Sequence, residues 1–368
     1  MFPPPRDRNQ KRRKRKMKWL LPTCIAAVFV VLLIVGAVFL FSGGVGSIQA
    51  KEMRFTSNNN YAASNNSIFF TQDTKLTCID YADNEKWSVD TMAADMKVAA
   101  SSDLVAAYND SNVQIFSANG QAYTSKEFYG SVQYVSCGKT LTAVLSTDYA
   151  SNNRVILLNQ AGEEVARYEF NDRYILDFGF TSGDSLYIYT LDRASVTPVS
   201  RVVTYNDTLA NTGNLTIEGQ VLQKLIFGRE NLYAVGTNQA VLMDYVGTVQ
   251  QQELVYGWEY RDSYASNNVT TLLFVPGGEG NQNIATARLL TLDNNDIYVQ
   301  MPTGTLQVSL GRNKLYAYTA NQVRTFSLNG NQQRDYALSI TATSFVPLPT
   351  GQHALAFENE KAYVISLP

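Results

Sequence analysis

The chain has 368 residues, 30 Lys and Arg against 32 Asp and Glu, one histidine and three cysteines. That length builds one large domain or two ordinary ones, and so few cysteines exclude a disulfide-stapled scaffold. The net charge of −2 hides an asymmetry: residues 1–18 carry nine basic residues against Asp7, roughly +8, so the remainder stands at roughly −10, a balance that excludes nucleic acid as its partner.

Residues 1–18 open on Pro3, Pro4 and Pro5 and then become basic through Lys11, Arg12, Arg13, Lys14, Arg15, Lys16 and Lys18. Nothing in this tail can build a core. From Trp19 to Phe41 the chain is uncharged and apolar, WLLPTCIAAVFVVLLIVGAVFLF. The roughly 20 residues needed to cross a bilayer core of about 30 Å are all present, so one transmembrane helix over 19–41 is expected. The basic residues flanking it place the N-terminus in the cytoplasm and everything after the helix outside, with the lipid bilayer as the partner of residues 19–41. A cleaved signal peptide is the alternative, but this run exceeds the 7–15 apolar residues such signals use. Cys24 precedes most of the apolar run, whereas a lipidated cysteine follows it, so a buried membrane thiol is expected.

Residues 42–48 begin SGGVGS and read as a flexible tether, with the outer domain occupying 49–368. Beyond Met53 no apolar period of 3.6 is sustained. Short runs such as Ser67 to Thr71, Val155 to Leu158, Ser185 to Thr190 and Lys361 to Leu367 are strands by composition and length. Between them stand Asn, Asp and Gly clusters, including Asn119-Gly120 and Asn329-Gly330, which accept the positive φ of tight hairpins. The domain is therefore expected to be all-β.

One hairpin recurs, over Leu76 to Asp90, Val113 to Tyr123, Val155 to Tyr168, Arg201 to Thr216, Ala240 to Leu254, Arg288 to Gln300 and Val323 to Leu338. Its turns lie near Asn84, Gly120, Gly162, Asp207, Gly247, Asn295 and Gly330, at the spacing of four-stranded propeller blades. After the seventh unit only three strands remain, and a strand near Gln49 to Thr56 is expected to complete an eighth blade. Eight blades are favoured and seven are the alternative, with two packed sheets as the plainer rival. A ring closed by both chain ends leaves no raw end of the array.

Ile79 to Asp90, IDYADNEKWSVD, resembles the repeat of quinoprotein-like and WD40-like propellers: a strand ending in Asp, a turn, and a Trp on the outer strand. With a basic single-span N-terminus the chain also looks like membrane-anchored propeller families of Gram-positive bacteria. The resemblance implies a propeller; it implies no enzyme activity, and a quinone with calcium is not expected because one repeat alone carries the Trp.

Catalytic constellations are not legible. His353 is the sole histidine and is expected at a strand end; Cys78 and Cys137 have neither ligand nor disulfide spacing. Asn109 to Asn112 and Asp293 to Asp296 offer clustered oxygens, which tight turns need as much as calcium does. No cofactor or metal is expected. Tyr256, Trp258, Tyr260 and Tyr264, near the Gly-rich insertion Pro276 to Asn283, are the candidate partner-binding aromatics. The expectation is a non-catalytic binding or scaffolding module at the cell envelope with a protein or glycan partner. A carbohydrate-active enzyme with paired carboxylates is the alternative.

Overall fold

The computed structural model describes residues 46–148, 152–266, 269–278, 283–292 and 295–368; the expected span at 19–41 and its basic flank lie outside them. No helix among the described residues is long and apolar enough to cross a membrane. The described residues form eight sheets, antiparallel but for one added parallel strand, arranged as the blades of a propeller.

Blade 1 runs outward through Tyr61–Ser64, Ser67–Gln72, Lys75–Ile79 and Glu85–Asp90, and blades 2 to 7 repeat this order. Each hairpin singled out in the sequence is the outer pair of its blade, for example Asn112–Ser117 with Ala122–Glu127 and Gln239–Asp244 with Val249–Leu254. The reason is local: strands third in line are mostly buried, as in Lys75–Ile79 after its exposed first residue, while outer strands are largely half-buried or exposed, as in Glu85–Asp90. A continuous apolar run followed by an alternating one thus reports position within the blade.

Blade 8 takes Ser344–Pro347, His353–Glu358 and Lys361–Ser366 from the C-terminus and Ala50–Thr56 from the N-terminal side, paired antiparallel with Lys361–Ser366. Both chain ends therefore close the ring, as expected. Met53 and Phe55 on the closing strand are buried against Phe70, Phe357 and Val364. Arg54 reaches blade 1 through ion pairs to Asp83 and Glu85 at 3.3 and 2.6 Å.

Apolar clusters fill all eight seams, including the one between blades 8 and 1, which decides the count in favour of eight. The tether expected over 42–48 ends differently. Gly46–Ile48 is a strand lying parallel beside the outer strand of blade 7, Gln332–Leu338, with Gly46 opposite Tyr336 and Ile48 opposite Leu338. An outer strand offers unpaired backbone groups, which these three residues satisfy while Ile48 is buried in the seam of blades 7 and 8.

The ring has two ends. One carries the first and third turns within each blade, the turn face. The other carries the middle turns and the linkers between blades, the linker face.

Candidate binding surface

The inner strand of blade 6, Trp258–Ser266, has a bulge at Arg261 that breaks its register between Tyr260 and Asp262. A bulge reverses which face later residues address, so the four aromatics proposed as a patch are dealt to different places. Tyr260, Phe274, Arg288 and Tyr298 stand directly opposite one another across the blade. The Arg288 guanidinium lies 5.7 Å from the ring centres of both Trp258 and Tyr298. Its Nε and Nη2 donate to the Asp296 carboxylate at 2.8 and 3.0 Å, and Nη1 donates to the Leu254 carbonyl of blade 5 at 2.9 Å. Trp258 is thus one wall of a strut between blades 5 and 6.

Tyr260 packs in that same seam, its hydroxyl bonded to Ser263 at 3.0 Å, and burial pushes its pKa up to about 12. Tyr264 packs on the other side, in the seam of blades 6 and 7. Tyr256 alone is displayed, 80% exposed.

What displays Tyr256 is a tight turn over residues 255–258 in the linker between blades 5 and 6. Val255 is fully buried, Gly257 takes φ +82°, and the Trp258 amide donates to the Val255 carbonyl at 2.9 Å. Glycine is required because the turn needs positive φ at its third position. The Gly277 amide donates back to the Gly257 carbonyl at 2.7 Å and fixes the turn from the neighbouring loop.

The linker between blades 2 and 3 uses the same three-residue pattern. Phe128 is buried, Tyr129 is 82% exposed and Gly130 has φ +121°. Amides on either side, Phe128 and Val132, donate to the Ser111 and Asp110 carbonyls at 2.8 and 2.7 Å. Reading the sequence missed Tyr129; the signal is the recurrence of apolar-Tyr-Gly at corresponding linkers, Phe128-Tyr129-Gly130 and Val255-Tyr256-Gly257. Both tyrosines stand on the linker face, held by backbone that is already ordered.

Polar groups with chemical potential are largely committed to structure. Asp262 has a raised pKa because it is buried, but its two oxygens accept the Ser263 and Leu310 amides at 2.8 and 2.7 Å, stitching blade 6 to blade 7. Asp184, in the first turn of blade 4, accepts the Lys139, Thr140 and Leu141 amides and the Thr140 hydroxyl of blade 3 at 2.6–3.0 Å. Burial raises its pKa, and these bonds outweigh burial and hold it below the usual carboxylate range. Asn109 spends its Oδ1 on the Ser111 and Asn112 amides, which is turn capping. Asp293 and Asn294 lie outside the described residues, and Asp296 is bound by Arg288.

His353 opens a strand of blade 8, its ring 4.8 Å from that of Tyr81; burial and the nearby Arg312 lower its pKa. Cys78 and Cys137 are free and buried, and burial pushes the Cys137 thiol up to about 12. Such thiols are unreactive. Among the described residues no group of three His, Cys, Asp or Glu is placed to hold a metal. A groove of about 530 Å³ opens between blades 5 and 6, lined by Phe227, Tyr233, Leu242, Val269 and Leu292 together with the exposed Arg229.

Solved propellers share this architecture. The Dos1 propeller is 10% identical, with a TM-score of 0.56 over 86% of this chain and 95% of that one. BamB from Moraxella catarrhalis is 10% identical, with a TM-score of 0.54 over 84% and 96%. A structure described as the eukaryotic initiation factor is 13% identical, with a TM-score of 0.52 over 83% of each chain. At such identities the likeness is one of fold. No curated protein matches the chain. The sequence model of one family, described as a family of unknown function, DUF5711, matches residues 45–367.

Proposed function

We propose, for a chain that belongs to the DUF5711 family, that it is a non-catalytic protein-binding module held at the cell membrane by residues 19–41. The N-terminus is cytoplasmic in this reading and the ring lies outside. The observation that carries the binding part is the pair of glycine turns presenting Tyr129 and Tyr256 to solvent from ordered backbone. Tyrosine offers a large contact area at little conformational cost, and a pre-ordered turn reduces that cost further. The basic run before an apolar stretch of spanning length supports the anchor. A rigid binding ring gains by being held where its partner is.

The test has two arms. Protease is added to intact cells and to lysed cells, and membranes are washed at alkaline pH. The reading expects the ring to be cut from outside and to stay in the washed pellet. Protection in intact cells, or release by the wash, contradicts the anchored topology. Cross-linking the full chain in its own membrane is expected to trap a protein neighbour; incubation with cell-wall glycans is expected to leave them uncleaved, and cleavage would establish the enzyme alternative instead.

A further inference from the structure

The surroundings of Tyr129 carry a charge pattern that neither turn needs. From the linker after blade 1 to the linker after blade 3, the linker face exposes Asp90, Asp95, Asp110, Glu127, Glu169 and Asp172. Opposing them in that arc are exposed Lys97 and exposed Arg167, the latter bound chiefly to Glu164 and 3.9 Å from the Glu169 carboxylate, while the half-buried Arg173 already leans on Asp172 and Asp192 at 3.6 and 3.4 Å. Apolar side chains are exposed among them: Met92 in the first linker, Tyr129 in the second and Tyr174 just after the third. Arg193 covers Tyr174, its guanidinium 4.6 Å from the ring centre, which shows that a cation fits over an aromatic of this face.

An apolar centre with a single-sign rim selects its partner by charge. We infer that the linker face is the docking surface, and that its occupant is a protein surface rich in Lys and Arg, with Tyr129 as the main anchor and Tyr256 as a second contact on the opposite arc.

This inference rests on the binding-module reading, and the experiment separates the two. A photo-cross-linking residue is placed in the full chain, in cells, at position 129, 256 or 246; Val246 is 80% exposed on the turn face. Protein adducts are expected from 129 and 256 and not from 246. They are expected to fall about tenfold or more, the scale of a hot-spot contact, when Asp95→Asn, Glu127→Gln and Asp172→Asn are combined. Poly-lysine added to spheroplasts, or 0.5 M salt before irradiation, is expected to compete in the unsubstituted chain, so the conclusion does not depend on the triple variant folding. Adducts from 246 alone overturn the face, adducts indifferent to salt and poly-lysine overturn the basic partner, and no adducts at any position overturn both. Adducts at 129 and 256 in a chain that the alkaline wash releases keep the docking surface and remove the anchor.

Discussion

Two glycine turns at opposite ends of the ring use the same backbone device for different ends. Gly120, on the turn face, has φ +87°, and a Cβ there would meet the Trp87 ring of the preceding blade at 2.7 Å. Trp87 lies across that turn, and its Nε1 donates to the Ala118 carbonyl at 2.9 Å. Gly257, on the linker face, has φ +82°, and nothing lies within 4 Å of where its Cβ would be. One turn is shaped to receive an aromatic from a neighbour; the other projects its own aromatic into water. An aromatic beside a glycine turn is therefore not informative until its destination is known. Trp87 stabilises the ring, whereas among the described residues Tyr256 makes no side-chain hydrogen bond or ring contact that explains its place.

The contrast is broken most severely at the closing seam. Phe55→Ala removes a fully buried ring stacked on Phe70 at 5.4 Å, and is expected to cost about 3–5 kcal/mol in urea unfolding. Trp87→Ala empties a half-buried site and orphans one carbonyl, so about 2–3 kcal/mol is expected, below the full core value. If Trp87→Ala proved neutral, the turn face would not be the structural one.

Asp184 sharpens the comparison through pH. Its folded pKa is below the unfolded carboxylate value of about 3.9, so its contribution is complete above that value. The contribution is lost as pH falls through the folded pKa. Asp184→Asn should lower stability at neutral pH and flatten the acid limb of the stability profile below about pH 4. An unchanged limb in denaturant titrations would mean that the bonds from Lys139, Thr140 and Leu141 do not favour the carboxylate. The smallest stability effect is expected at the linker face, where Tyr129→Ser and Tyr256→Ser should each stay within about 0.5 kcal/mol of the original chain.

The propeller was legible because its outer hairpins differ from their neighbours in composition: buried strands such as Leu76 to Ile79 precede alternating ones such as Lys86 to Asp90, with turn residues between. Even the strand completing blade 8 could be placed, since three C-terminal strands need a fourth. Gly46–Ile48 was not legible, because a three-residue strand with a single buried side chain, Ile48, is too short to show an alternating pattern. The aromatic patch was half legible. Tyr256 was found, but the bulge at Arg261 shifts the two-residue period, so the burial of Tyr260 and Tyr264 on opposite seams could not be counted out along the chain. Tyr129 looked like one tyrosine among many until its Gly130 turn was set beside that of Gly257.

The most direct test of the displayed face joins stability to binding in a single double variant, Tyr129→Ser with Tyr256→Ser. Its urea midpoint and its yield of cross-linked partner in membranes are measured beside those of the unsubstituted chain. An unchanged midpoint with the partner lost is the predicted result. A lowered midpoint, or an unchanged yield, would contradict the assignment of these two tyrosines to docking.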